Sequence, residues 1–219
     1  MSATHRSPHR PLMALVPGGG GFLGRAIVEQ LLARGDRVRS FARGAYPALA
    51  DLGVEVRRGD LRDAQAVGQA CAGCDIVFHV AAKAGIWGRY AAFYEPNVRG
   101  TRNVLAACRE HGVHRLVYTS SPSVVFDGRS MEGVDEPARY PHTQHSHYAA
   151  TKALGEQAVL AANGTTLRTL ALRPHLIWGP RDNHLVPRIV SQGRAGTLRR
   201  VGDGTNKGDT TYIENAARA

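Results

Sequence analysis

The sequence predicts a doubly wound α/β fold, a parallel sheet covered by helices on both faces. Three observations carry this expectation. Short apolar runs of β type alternate with longer segments whose apolar residues recur every three or four positions. The first run leads directly into a glycine-rich turn and then a helical pattern. Gly35, Gly112 and Gly164 follow helical segments, where a left-handed cap residue belongs. With 219 residues, 43% hydrophobic and 21% charged, the chain can bury a core and is not a disordered tail.

In order, residues 12–16 form the first strand and 22–33 the first helix, opening inside the glycine turn. Residues 37–41 and 54–57 read as the second and third strands. A helix over 63–70 ends where Ala-Gly-Cys-Asp turns into a strand over 75–80. A helix over 94–111, a strand over 115–120, a helix over 148–162 and a strand over 167–172 complete the alternation. At this spacing, strands joined by helices form right-handed βαβ units and so a parallel sheet. Beyond about residue 178 the alternation breaks into short pieces; 210–213 read as a strand, and 214–219 start a helix with no stop signal. The expected organisation is a basic tail over 1–11 and a nucleotide-binding domain over 12–175. Residues 176–219 would be only the beginning of a substrate-binding region, as in a truncated chain.

The net charge is +10, from 25 arginines and three lysines (Lys83, Lys152 and Lys207) against 18 acids. These cations are scattered, which fits a solvated Arg-rich surface and anionic small molecules better than nucleic acid. Three cysteines are too few for a disulfide framework, and Cys71-Ala-Gly-Cys74 reads as structural rather than redox-active. No apolar run approaches the ~18 residues of a membrane span. The N-terminus lacks a signal-peptide core, so a cytoplasmic location is expected.

After the first strand stands Gly18-Gly-Gly-Gly21-Phe-Leu-Gly24. Between a strand and a helix, such glycines allow a tight turn and bring helix N–H groups against a pyrophosphate. The second strand ends Val38-Arg-Ser-Phe-Ala-Arg43 without an acid to read a ribose diol. Arg43 suits a 2′-phosphate, so NADP(H) is favoured and NAD(H) left open. Asp60, after the third strand, is placed to meet the adenine.

Tyr148-Ala-Ala-Thr-Lys152 puts a phenol and an ammonium on one helix face. A free phenol titrates near ~10, too high for proton exchange at neutral pH. Lowering it by about three units needs roughly 4 kcal/mol. An ammonium about 4 Å away supplies about that much at an effective dielectric near 20. Ser120 and Ser121, at the end of the fifth strand, offer a hydroxyl to hold a substrate carbonyl.

These residues resemble the extended short-chain dehydrogenase/reductase family, also called the NAD-dependent epimerase/dehydratase family. The likeness runs from Leu12 onward and includes Gly59-Asp-Leu61, Asn97, Thr119-Ser-Ser121 and Leu172-Arg-Pro174. It implies a Rossmann-type fold with Tyr148 as proton donor and acceptor. Lys152 would orient the ribose and lower the phenol's pKa, and Ser121 would bond the reacting oxygen. Gly18, Gly21 and Gly24 would bind the pyrophosphate. Phe22, Leu23, Leu61, Ala81, Lys83, Asn97 and Pro174 would complete the coenzyme site, with Lys83 also open to a substrate carboxylate. Within the family, Ala81–Gly88, Leu176–Pro180 and Gly202–Lys207 are similar to the 3β-hydroxysteroid dehydrogenase branch. Arg43–Leu49, Thr119–Val124 and Asp182–Arg188 resemble bacterial reductases of 2-alkyl-3-oxoalkanoates. The resemblance implies an NAD(P)-dependent oxidoreductase interconverting a ketone and a secondary alcohol on a hydrophobic substrate, acting as a homodimer. A nucleotide-sugar epimerase or dehydratase, or an inactive cofactor-binding fragment, are the alternatives.

Pro17, Arg181 and Gly208 depart from the family pattern. His142, His145 and His147 cluster before Tyr148, but lie in a loop without acids, and no metal is expected. Trp87, Tyr90 and Tyr94 are placed to line a lipid or sterol pocket.

Overall fold

A computed structural model describes residues 10–85, 87–183, 185–200 and 202–219. Most of the expected basic tail, with Ile86 and His184 of the family-like stretches, lies outside the described residues. Six parallel strands form the sheet: β1 (Met13–Pro17), β2 (Arg37–Ala42), β3 (Glu55–Arg58), β4 (Ile76–His79), β5 (Arg115–Thr119) and β6 (Arg168–Leu172). Their order is β3-β2-β1-β4-β5-β6. The chain thus starts at the centre, winds out to one edge, and returns to wind out to the other. The direction reverses between β1 and β4, the place where doubly wound sheets open a ligand crevice.

The helices are α1 (Phe22–Ala33), α2 (Pro47–Ala50), α3 (Ala64–Cys71), α4 (Tyr90–Tyr94), α5 (Gly100–Glu110), α6 (His147–Ala161), α7 (Val186–Arg194) and α8 (Ile213–Arg218). A two-stranded parallel ribbon joins β7 (Ile177–Trp178) to β8 (Thr211–Tyr212). β1 is buried along its whole length. Its side chains alternate between two cores, because successive strand residues point to opposite faces. Met13 and Leu15 join α3, α5 and α6, whereas Ala14 and Val16 join α1 and α8. The segment after β6 packs back on α1, where Gln30 Nε2 donates to the Glu214 carbonyl at 3.1 Å.

Three expectations are corrected. The helix over 94–111 is α4, a π-helical turn over Glu95–Arg99, and α5 in succession. Pro96 has no N–H to donate, and the widened turn carries Asn97 and Val98 inward. Gly35 and Gly112 are left-handed at φ +89° and +65°, but Gly164 is not. Instead, α6 closes on Ala162, and the Gly164 N–H donates to the Leu167 carbonyl at 2.9 Å, making the turn into β6. Strand ends shift by at most one residue from their expected bounds.

All three cysteines are buried and unbridged. Cys71, at the end of α3, shares a hydrogen bond with Cys108 that pushes its thiol far up, and burial pushes Cys74 up to about 11. Neither is a reactive thiolate, in keeping with a structural role. Among the described residues no helix is long and apolar enough to cross a membrane.

Candidate active site

The glycine turn is built by contacts no side chain would allow. Gly18 is left-handed at φ +88°, and a β-carbon there would lie 2.8 Å from the Ala81 nitrogen. One on Gly24 would lie 2.0 Å from the Gly18 carbonyl oxygen. Gly21 caps α1 without a side chain, so the N–H groups of Phe22, Leu23 and Gly24 open the helix with no side-chain cap. Leu23 packs its side chain into the core beside Ile27 and Val28. Free first-turn N–H groups, a positive helix end and a cradle without β-carbons fit a pyrophosphate. Pro17 removes an N–H from β1, yet its carbonyl accepts from Val80 and Ala81 at 3.1 and 2.8 Å. That clasp draws Ala81 and the end of β4 against the turn.

Tyr46 was not foreseen at this site. Its ring lies over Gly20, where a β-carbon would come within 2.4 Å of it, and borders Gly44. The signal available in the sequence was the pair of glycines that its ring requires.

Arg43 follows β2 directly, and its carbonyl accepts from Arg58 Nε at 3.4 Å. Asp60 is engaged by Arg62 at 2.8 Å, which holds its carboxyl below the usual range. Leu61 is buried in the core, where its Cβ would lie 2.7 Å from a β-carbon on Gly100.

Ser121 and Tyr148 meet where β5 ends. The Ser121 hydroxyl lies 2.9 Å from that of Ser123, and it opposes the effect of burial on the Tyr148 phenol. Ser146 caps α6 by accepting from the Ala149 N–H at 3.1 Å, which sets Tyr148 in its first turn. Lys152 follows one turn later, and its Nζ donates to the Thr119 carbonyl at 2.6 Å. That ammonium sits 3.9 Å over the Tyr118 ring.

The expected lowering of the phenol's pKa does not hold in this arrangement. Burial pushes Tyr148 up, against the Ser121 hydrogen bond, and burial pushes Lys152 down to about 7. Nζ is turned onto the Thr119 carbonyl, and the burial of Tyr148 prevails.

The loop after β4 is tied to α6. Asn97 accepts from the Lys83 N–H at 2.7 Å, and its amide nitrogen donates to the Lys83 carbonyl and to Thr151 Oγ1, each at 3.1 Å. Its side chain is therefore engaged in holding the loop. Lys83 Nζ lies 5.3 Å from the centre of the Phe93 ring. His147 Nδ1 is 3.0 Å from the Gly88 carbonyl, and its ring meets Tyr90 edge-on at 5.5 Å. Tyr94 packs 5.7 Å from Tyr90, while Trp87 is 88% exposed. His145 packs instead on Phe126 at 5.6 Å. Pro174 borders a cleft with Thr119, Leu172 and Arg173.

A parallel sheet in this strand order, with a glycine turn at its switch point, is a Rossmann-type fold. The chain belongs to the 3-beta hydroxysteroid dehydrogenase/isomerase family, whose model matches residues 15–219. It is 56% identical over 207 residues to the 2-alkyl-3-oxoalkanoate reductase of Stenotrophomonas maltophilia, covering 94% of this chain and 63% of that protein. It is 49% identical to the reductase of the same name from Shewanella oneidensis, covering 94% and 55%. Human sterol-4-alpha-carboxylate 3-dehydrogenase is 40% identical, over 91% of this chain and 54% of its own length. The chain therefore spans little more than half the length of these relatives. Among solved structures, Thermus thermophilus UDP-glucose 4-epimerase in complex with NAD is 30% identical with a TM-score of 0.76, covering 94% and 72%. A dTDP-glucose 4,6-dehydratase variant from Streptomyces venezuelae with NAD bound is 29% identical with a TM-score of 0.78, covering 94% and 69%.

Proposed function

We propose that this protein is an NADP(H)-linked oxidoreductase that interconverts a 2-alkyl-3-oxoalkanoate and its 3-hydroxy counterpart. The reading is carried by the placement of Ser121 just after β5 and of Tyr148 and Lys152 one turn apart in α6, where Lys152 Nζ reaches the Thr119 carbonyl at the end of β5. The substrate class is supported by the two reductases at 56% and 49% identity. When bound, the nicotinamide coenzyme supplies or accepts the hydride. In this reading the N–H groups of Phe22, Leu23 and Gly24 hold its pyrophosphate, and Arg43 meets the 2′-phosphate. The Ser121 hydroxyl holds the substrate carbonyl oxygen. The Tyr148 phenol gives its proton to that oxygen as it becomes an alkoxide, and regains one in the reverse direction. Lys152 keeps a positive charge beside the phenolate so formed. Trp87 and Tyr90 line the approach for the alkyl chain.

NADPH oxidation with a 2-alkyl-3-oxo acid, a sterol ketone and a UDP-sugar tests this reading. Turnover is expected with the keto acid, and Tyr148→Phe should lower kcat by about 10²–10⁴-fold. UDP-sugar interconversion without net coenzyme consumption, with both ketones inert, would overturn it in favour of an epimerase.

A further inference from the structure

We propose that Glu156 is a positioning residue for the acid–base helix, its buried carboxylate favouring the charged form of Lys152 one turn away. The proposal rests on reading Lys152 as part of the acid–base site. Tyr148, Lys152 and Glu156 recur every four residues, so they form one stripe of α6 facing the ends of β5 and β6. Lys152 is 2% exposed and Glu156 fully buried. Glu156 accepts from Arg173 Nε at 3.1 and 3.2 Å on its two oxygens, and from the Tyr140 hydroxyl at 2.7 Å. Arg173 directly follows β6 and Tyr140 comes from the loop before α6, so three segments converge on this carboxylate. Burial would push it up, but Arg173 and the surrounding hydroxyls hold it below the usual range, and it is charged at neutral pH.

The contacts of Lys152 itself are neutral: the Thr119 carbonyl and the Tyr118 ring from β5. From β4 it faces His79, which burial and the ammonium push down to about 3, so that ring is neutral too. Its own helix presents Tyr148, whose phenol is protonated. Among the described groups around Lys152, Glu156 is the one anion. A buried ammonium with neutral contacts sheds its proton unless a nearby negative charge retains it. Tyr140 and Arg173 fix that charge in place. Tying β6 to α6 would need only the Arg173–Glu156 pair; the field on Lys152 is a separate consequence and separately measurable.

The chain has only three lysines, so protein labelled with [ε-¹³C]lysine gives three NMR signals to follow against pH. The Lys152 signal is assigned as the one missing from a Lys152→Met variant. Glu156→Gln removes the carboxylate's charge but leaves Arg173 unpaired, which destabilises. The double variant Glu156→Gln/Arg173→Met removes both charges and guards against unfolding. The Lys152 midpoint is expected to fall in both variants, by less in the double variant because that one also removes the Arg173 cation, with Lys83 and Lys207 unmoved. An unmoved Lys152 midpoint in either variant, with its near-UV circular dichroism preserved, would overturn the proposal and leave Glu156 as a structural tie. The signals are read without substrate, so this result is independent of whether the keto acid is turned over.

Discussion

At Gly24 one missing carbon decides whether the nucleotide turn can close. Alanine within a helix is ordinarily favoured over glycine by up to about 1 kcal/mol. Here the added carbon would sit 2.0 Å from the Gly18 carbonyl oxygen, a backbone atom that cannot swing aside. Gly68, inside α3, has its nearest such neighbour at 3.5 Å, so the obstacle belongs to the turn and not to helical glycines generally. Gly24→Ala must push α1 away from the turn and misdirect the N–H groups of its first residues. NADPH affinity, followed by nicotinamide fluorescence, is expected to fall at least tenfold, about 1.4 kcal/mol, while far-UV circular dichroism stays the same. Unchanged affinity would mean that the turn binds no phosphate. Tyr46 works at the same scale from the other side, since its ring occupies the space a side chain at Gly20 would take.

Among the elements, the segment after β6 is fastened to α1 by an unusual residue. Arg181 stands at φ +70°, a conformation that favours glycine, and its guanidinium reaches Glu29 with Nη1 and Nη2 at 2.7 and 2.6 Å. The Arg181 hydrogen bonds hold Glu29 down to about 2 from an ordinary 4.5, with Arg25 adding to the effect. A carboxylate depressed in the folded state contributes stability above its unfolded pKa and loses it as pH falls through the folded one. The melting-temperature gap between the wild type and Arg181→Gln should therefore be full above about pH 5 and close as pH falls towards 2. A gap independent of pH would assign the effect to backbone conformation instead.

The departure at Arg181 was visible in the sequence, but its partner was not, because Glu29 lies 152 positions away. The same division runs through the molecule. The six strands and α1 were legible because short β-type runs alternate with segments of helical periodicity and α1 follows the glycine turn. The π-helical turn was not, since apolar residues keep their helical spacing through it while Asn97 and Val98 turn inward. Tyr148 and Lys152 were legible as neighbours on one helix. The links from Arg173 to Glu156 and from His147 to Gly88 join different segments, and no local spacing announces them.

For the whole molecule, the groups expected to meet a nucleotide come together only when the sheet is assembled. The turn belongs to β1 and α1, Ala81 to the end of β4, and Arg43 to the end of β2. A nucleotide that needs all of them binds the folded chain and not the unfolded one, so it must raise the melting temperature. At a hundred times Kd the gain is about 2.7 kcal/mol, or roughly 5–11 °C for a chain of this size. NADPH carries one phosphate more than NADH, and the chain it approaches has a net charge of +10 with Arg43 at the end of β2. Matched scans with the two nucleotides should therefore show NADPH stabilising by several degrees more than NADH. Raising the salt should narrow the difference, because screening weakens the exposed phosphate contact. Arg43→Ala should abolish the difference and leave the NADH shift intact. If the two nucleotides stabilise equally, or if the preference survives Arg43→Ala, the 2′-phosphate is not read at the end of β2 and the case for NADP(H) falls, while the glycine turn keeps its role.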